Sequence, residues 1–410
     1  MAESAAEIRK ANMFGLLRAI HALPPATRKE LAEESGLSVA TVSSIVSDLI
    51  AAGAVIETGT RKQATGRPTA ELALNADHGI ALGVDVAETY VHAETFDSAL
   101  RARSSTSLPL DAHQNDPADV TLAVKKAISQ EVARPENEGK RILGVCVSIP
   151  GQVDPVGGTS VFAPNWNWHD VPLLPFLRDA IDAPLILENP LKALALAELW
   201  AGSGRNASDF AVLNIGTGVG AGLAFGGEVF RGRTNSAGEW GHMVLVAGGR
   251  ACRCGSRGCV EAYVGAPGIM ETVTEIVPGS PLLGSGDQTI AIEALAEAVD
   301  RGDPSAVAVL ERTAYYLGSA MANLVNLLNP ELLVLSGWVV DVLGDRLLSR
   351  ARPHVKAYAL GTPLQSCRIE IQAIAGNSVS FGTATLALES HLASIGRVQA
   401  NVTPRLNQIA

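Results

Sequence analysis

Residues 27–53 read TRKELAEESGLSVATVSSIVSDLIAAG, and this stretch sets the fold of the N-terminal region. Thr27 can accept from the backbone N–H of Glu30 while the Glu30 side chain reaches back, a capping box that opens a helix running through Leu31 and Ala32. Gly36 suits its left-handed stop. Ser38 then N-caps a second helix whose buried stripe is Val42, Ile45, Val46 and Leu49, leaving Val39, Ala40, Ser43, Ser44 and Ser47 outward. Upstream, Met13, Leu16, Leu17 and Ile20 mark one face of a helix over 7–23 that Pro24-Pro25 must end. Downstream, Val55–Thr58 and Ala70–Leu74 read as two strands of a β-wing joined by a basic tongue, with no acid between 58 and 70. A helix, a short turn and a second helix with small polar outward residues is the arrangement that lays a recognition helix in a major groove. The candidate DNA contacts are therefore Ser38, Val39, Ala40, Thr41, Ser43, Ser44 and Ser47 on the helix and Arg61, Lys62 and Arg67 on the wing. Gly66 and Pro68 flank Arg67 and would let it approach phosphates or a minor groove. A plain three-helix interaction module would leave a similar pattern.

The chain has 410 residues, enough for two or three domains and a large core. Its net charge of −10 is not evenly spread: over residues 1–75 eight Lys/Arg balance eight acids, so the acidity lies downstream. The apolar residues fall in short runs with none of about 18 to span a bilayer, and the N-terminus lacks the basic and apolar regions of a secretory signal. A soluble protein of a reducing cytoplasm is expected, without a membrane partner, and its five cysteines are not expected to form disulfides.

Beyond Asn75 short strands alternate with helices: strands over Ile80–Val84, Tyr90–Phe96, Ile142–Val147 and Phe210–Ile215, and helices near 117–133 and 190–201. That is an α/β signature. Two glycine-bearing turns follow strands, Gly83-Val84-Asp85-Val86-Ala87-Glu88-Thr89 and Gly216-Thr217-Gly218-Val219-Gly220-Ala221-Gly222. Farther on, His242 precedes Cys252-Arg253-Cys254 and Cys259, so three cysteines fall within eight residues. Three thiolates and one imidazole supply the four ligands of a closed tetrahedral Zn²⁺ site, and Gly255 and Gly258 allow a tight fold around it. A redox-active or merely buried thiol cluster is the alternative; Cys146 and Cys367 lie in apolar surroundings and read as inert core residues.

With these motifs in the order given, the chain resembles the ROK family (repressors, open reading frames and sugar kinases) in its repressor layout, over nearly its whole length. The resemblance implies a winged helix-turn-helix over 1–75 and a two-lobed actin/hexokinase-like domain, with lobes at 76–205 and 206–376, a helix at 377–396 returning to the first lobe, and a tail at 397–410. It implies that the Cys/His cluster is the family's structural zinc motif, and that Glu239, His242 and Glu261, with Asn165 and Asn189, contact sugar hydroxyls. The Trp166 and Trp168 side chains would stack on sugar or pack in the core.

Three departures bear on chemistry. The first turn, Asp85-Val86-Ala87-Glu88-Thr89, replaces the family's Asp-x-Gly-Gly-Thr, and a carboxylate at Glu88 repels a polyphosphate. Leu187-Glu188-Asn189-Pro190 carries proline where family kinases have the Asp that takes the sugar hydroxyl's proton; proline can neither orient nor deprotonate a nucleophile. Leu335-Ser336-Gly337-Trp338 departs from the family's Ser-Gly-Gly on the adenine side. No catalytic residue is assigned. The expected function is a homodimeric, or dimer-of-dimers, repressor holding an inverted-repeat operator and altered by a mono- or short oligosaccharide. A bifunctional sugar kinase with a DNA-binding arm, and a repressor controlled by a protein partner, are the rivals.

Overall fold

A computed structural model describes residues 4–62, 68–111, 115–178, 182–284 and 286–395. Arg67 and the expected tail at 397–410 lie outside the described residues. The chain divides into two compact units, one made of residues 1–148, 173–187 and 380–410 and the other of 149–172 and 188–379. Each unit is discontinuous in sequence, so the boundaries differ from the contiguous lobes expected at 76–205 and 206–376.

The first unit opens with α1 (Ala5–Ala22), β1 (Ala26–Thr27), α2 (Arg28–Ser35), α3 (Val39–Ala51), β2 (Val55–Arg61) and β3 (Thr69–Leu74). The capping box forms: Glu30 N–H donates to Thr27 Oγ1 at 3.3 Å and Thr27 N–H to the Glu30 carboxylate at 2.8 Å. Gly36 ends α2 at φ +67°, and α3 buries Val42, Ile45, Val46 and Leu49. The wing strands pair antiparallel from Val55 opposite Leu74 to Arg61 opposite Thr69, and β1 adds to the far side of β3.

After β3 come β4 (Ile80–Val86), β5 (Tyr90–Asp97), β6 (Ala102–Pro109), α4 (Pro117–Val132) and β7 (Ile142–Ser148). The chain next makes β8 (Gln152–Asp154), β9 (Thr159–Ala163) and β10 (Trp168–Pro172) in the second unit and returns to the first for α5 (Leu173–Arg178) and β11 (Leu185–Glu188). The order β11-β7-β4-β5-β6 puts β4 mid-sheet, parallel to β7 and antiparallel to β5. All of β4 is buried, as a strand covered on both faces requires. Gly83 admits the last helix, α13 (Ser378–Ile395), against it: a Cβ there would stand 1.8 Å from the Ser380 carbonyl oxygen.

The second unit continues with α6 (Pro190–Ala201), β12 (Phe210–Ile215), β13 (Val219–Phe225), β14 (Glu228–Val229), α7 (Glu261–Val264), α8 (Ala266–Ile276), α9 (Gln288–Asp300), α10 (Pro304–Leu328), β15 (Leu332–Ser336), α11 (Trp338–Tyr358), α12 (Gly361–Ser366) and β16 (Arg368–Ile371). Its sheet runs β14-β13-β12-β15-β16, with β15 parallel to both β12 and β16. Leu213, Ile215, Leu333 and Leu335 of the sheet and Leu317, Met321, Val340 and Leu343 of α10 and α11 belong to one fully buried cluster. Alternating parallel strands and helices thus carry a core large enough to fix the loops at the strand ends, where ligands of open α/β sheets bind.

Candidate functional site

The reading head presents the face that the sequence placed outward. Ser38, Val39, Ala40, Ser44 and Ser47 are exposed, while Thr41 and Ser43 are half-buried. Ser38 is engaged at the helix start, its Oγ accepting from Thr41 N–H at 3.1 Å and lying 2.8 Å from Thr41 Oγ1. Arg61 is turned back on the head: its guanidinium donates to Glu30 at 2.6 Å, to Glu71 at 2.9 Å and to the Pro25 carbonyl at 3.0 Å. It braces the wing against α2, and Lys62 is the exposed cation beside it.

The candidate metal centre is built on a loop between β14 and α7. His242, Cys252, Cys254 and Cys259 bring one donor atom each to within 4.8 Å of one another. Cys254 Sγ and Cys259 Sγ are 3.8 Å apart, and His242 Nδ1 is 3.6 Å from Cys252 Sγ. Bonds of about 2.3 Å to sulfur and about 2.05 Å to nitrogen at the tetrahedral angle place S and S about 3.8 Å apart and N and S about 3.6 Å apart, so the donor set fits zinc. Gly258 makes the loop possible. Its φ is +80°, and a Cβ there would lie 1.8 Å from the Val246 carbonyl oxygen. Arg250 anchors the loop from behind, donating to Ala262 O, Gly268 O and Thr272 Oγ1 and covering the Tyr263 ring at 4.8 Å. Burial, with the Glu261 carboxylate adding to it, pushes the Cys252 thiol well above its ordinary value, and burial also raises Cys259. A coordinated cation reverses that preference by deprotonating thiols.

The same imidazole looks both ways. With Nδ1 toward Cys252, His242 Nε2 lies 4.0 Å from Glu239 Oε2. Burial raises the Glu239 carboxyl above the usual range, and the charges of Lys192 and His242 oppose that rise. Glu261 stands at the start of α7, accepting from Val219 N–H at 3.0 Å, with Oε1 at 3.7 Å from Cys252 Sγ and 3.6 Å from Arg253 Nε. Glu239, His242 and Glu261 therefore converge around the metal cluster. Asn189 serves α6, accepting from Leu191 N–H at 2.8 Å and donating to Gly151 O at 2.5 Å. Asn165 stands half-buried in the β9–β10 turn, and the neighbouring Trp166 and Trp168 are buried with ring centroids 4.5 Å apart, which assigns those rings to packing.

Sequence reasoning passed over Lys192, Arg231 and Asn235. Lys192 is 2% exposed, and its ammonium donates to Ala237 O at 2.7 Å, two residues before Glu239. Burial lowers its pKa, while Glu239 and Glu188 hold it up. Glu188 is buried and held by Arg231 and by Asn235 Nδ2 at 3.0 Å. The available signal was a lone lysine in the apolar run of α6, where a buried charge needs partners.

Pro190 occupies the first turn of α6 and supplies no side-chain acceptor. Asp85 accepts from Tyr90 Oη at 2.8 Å and Ser148 Oγ at 3.2 Å, and Ala87 N–H donates to Tyr90 O to close the turn. In the second turn, a Cβ on Gly220 would come within 2.4 Å of Leu191 Cδ1 and one on Gly222 within 2.1 Å of Leu191 O, so these glycines let α6 seat on β13. The Trp338 indole lies over Gly216, close enough that a Cβ there would be 3.0 Å from its ring.

A model described as the ROK family matches residues 81–390, and one described as winged helix-turn-helix DNA-binding matches residues 10–56. The chain is 25% identical to the xylose repressor of Bacillus spizizenii, covering 94% of this chain and 97% of that protein. It is 31% identical to a glucokinase of Halalkalibacterium halodurans, covering 73% of this chain and 92% of that protein. A solved ROK family transcriptional regulator, described as a homolog of the E. coli MLC protein, superposes with a TM-score of 0.78 at 26% identity, covering 96% of this chain and all of that one.

Proposed function

The chain belongs to the ROK family, and from that premise we propose that it is a sugar-responsive transcription repressor whose kinase-like body senses without catalysing. One observation carries the reading. A DNA-reading head and a sugar-kinase-like body share one chain, and Pro190 stands where the body would need a proton acceptor. The Trp338 ring over Gly216 and the Glu88 carboxylate in the first turn support it, because each works against a bound polyphosphate.

The effector is a mono- or short oligosaccharide. Glu239 and Glu261 accept from paired hydroxyls, and His242 Nε2 adds a donor; Asn165 and Asn189 complete the amide contacts. Lys192 opposes the rise that burial gives the Glu239 carboxyl and fixes the backbone at Ala237. His242 Nδ1 and the thiolates of Cys252, Cys254 and Cys259 would hold a structural zinc ion, and an imidazole so held would keep its second nitrogen toward the ligand. On the DNA side a homodimer sets two α3 helices into an inverted repeat, with Lys62 and Arg67 on phosphates. A ligand shifts an equilibrium only by its differential affinity, so the sugar binds preferentially to the form whose heads do not match half-site spacing, and the operator is released.

The test is a thermal-shift panel of monosaccharides and short oligosaccharides, paired with a phosphoryl-transfer assay with ATP. Sugar-specific stabilisation without transfer is expected, since a ligand of the native state raises its melting temperature. Transfer to sugar would establish the second reading, a bifunctional kinase, which the 31% identity to a glucokinase favours. No shift with any sugar would point to a protein partner.

A further inference from the structure

Away from that site, His78 and His391 face each other at the joint between the reading head and α13. Their Nε2 atoms are 3.2 Å apart, with ring centroids at 5.3 Å and planes inclined by 51°. His78 sits in the loop joining β3 to β4, and that loop is tied to the turn ending α3: Asn75 N–H donates to Ala54 O at 2.9 Å and Asn75 Nδ2 to Gly53 O at 2.8 Å. A Cβ on Gly53 would lie 3.4 Å from His78 Nδ1, so the ring packs on the end of the recognition helix. Beside it Asp77 pairs with Lys140 at 3.0 Å.

Two imidazoles bound at about 2.05 Å on a tetrahedral ion hold their nitrogens about 3.3 Å apart and their centroids about 5.2 Å apart. Both separations match those observed. A neutral imidazole carries one N–H, so two facing Nε2 atoms either share a proton or turn both lone pairs to one cation. Both rings are half-buried, which leaves a solvent side for the water ligands that complete the coordination. Arg141 is the charged group bearing on both rings, and its repulsion of a second cation keeps the site weaker than a thiolate cluster. The neighbouring face of α13 is not filled by α1: a cleft of about 350 Å³ lies between them, lined by Lys10, Phe14, Ile186, Leu386 and Ser394.

We propose that His78 and His391 form a two-histidine site for a divalent transition-metal ion, separate from the Cys/His cluster, which when filled fastens the end of the recognition helix to α13. Imidazole-only ligation suits Ni²⁺, Cu²⁺ and Zn²⁺; the observed spacing is that of a tetrahedral ion, and Ni²⁺, which takes two cis imidazole nitrogens about 2.9 Å apart and so asks these exposed-edged rings to close by a few tenths of an ångström, is the probe because the thiolate-rich cluster favours zinc. The experiment uses full-length, tag-free, zinc-loaded protein and its His78→Gln and His391→Gln variants, with zinc per chain counted by mass spectrometry to show each variant intact. At Ni²⁺ about 100-fold above its dissociation constant, the wild-type midpoint should rise by roughly 5 °C. Amide exchange at Gly53, Ala54 and His78 should slow with it. Both effects should vanish in both variants. Equal shifts in wild type and variants would place the ion elsewhere, and no shift in the wild type would leave a proton-sharing pair; either result overturns the proposal.

Discussion

Gly258→Ala tests the metal loop directly. The residue sits at φ +80°, a conformation that costs a side-chain-bearing residue about 1–2 kcal/mol. The new Cβ would start 1.8 Å from Val246 O and 2.8 Å from Val246 C, both backbone atoms, so no rotamer change relieves it. The two loop segments must separate, which stretches the bonds from Leu245 N–H (2.7 Å) and Val246 N–H (3.1 Å) to Gly258 O, and from Gly258 N–H to Arg250 O (2.7 Å). At about 1 kcal/mol each, losing two or three brings the cost to about 3–5 kcal/mol. Cys259, one residue on, moves with the loop and spoils its 3.8 Å spacing to Cys254. All five tryptophans (Trp166, Trp168, Trp200, Trp240 and Trp338) lie in the second unit, so urea unfolding followed by tryptophan fluorescence reads that unit alone. The expected result is a large drop in midpoint together with less than one zinc per chain. A variant with wild-type midpoint and full zinc would refute the reasoning that the close approach at Gly258 builds the cluster.

Three further outcomes are expected. Pro190→Asp should change stability by less than about 1 kcal/mol, because the carboxylate gains at the N-terminus of α6 roughly what the lost ring rigidity costs; calorimetry should show effector binding tightened about tenfold by a new hydroxyl acceptor, and an unchanged affinity would place Pro190 outside the pocket. Val39→Glu puts a charge on a side chain 55% exposed on α3 and should weaken operator binding in gel shifts at least tenfold by phosphate repulsion, leaving sugar-induced thermal shifts intact. With no metal added, burial and the charges of His78 and Arg141 hold His391 down at about 4, against 6.5 for an ordinary histidine, and His78 is lowered in the same direction. The unfolded chain therefore takes up protons below about pH 6.5 that the folded chain refuses, so stability is full above that pH and falls toward pH 4. Circular dichroism melts across this range should slope less steeply for His391→Gln.

The sequence by itself determined what local chemistry dictates. The Thr27–Glu30 box, the Gly36 stop and the buried stripe of α3 follow from side chains reaching backbone groups one turn away. Cys252, Cys254 and Cys259 mark a candidate metal site because three donors lie within one loop, and Pro190 offers no side-chain acceptor by its identity alone. What depends on closing long stretches of chain was decided only in three dimensions. Arg61, legible as a wing cation, is folded onto Glu30 and Glu71. Trp338 comes to lie on Gly216, and Lys192 reaches the Glu239 segment. His78 and His391, 313 residues apart, meet at the joint. Periodicity and caps act over one or two turns of backbone, whereas such meetings depend on how whole sheets and helices pack, which no local spacing encodes.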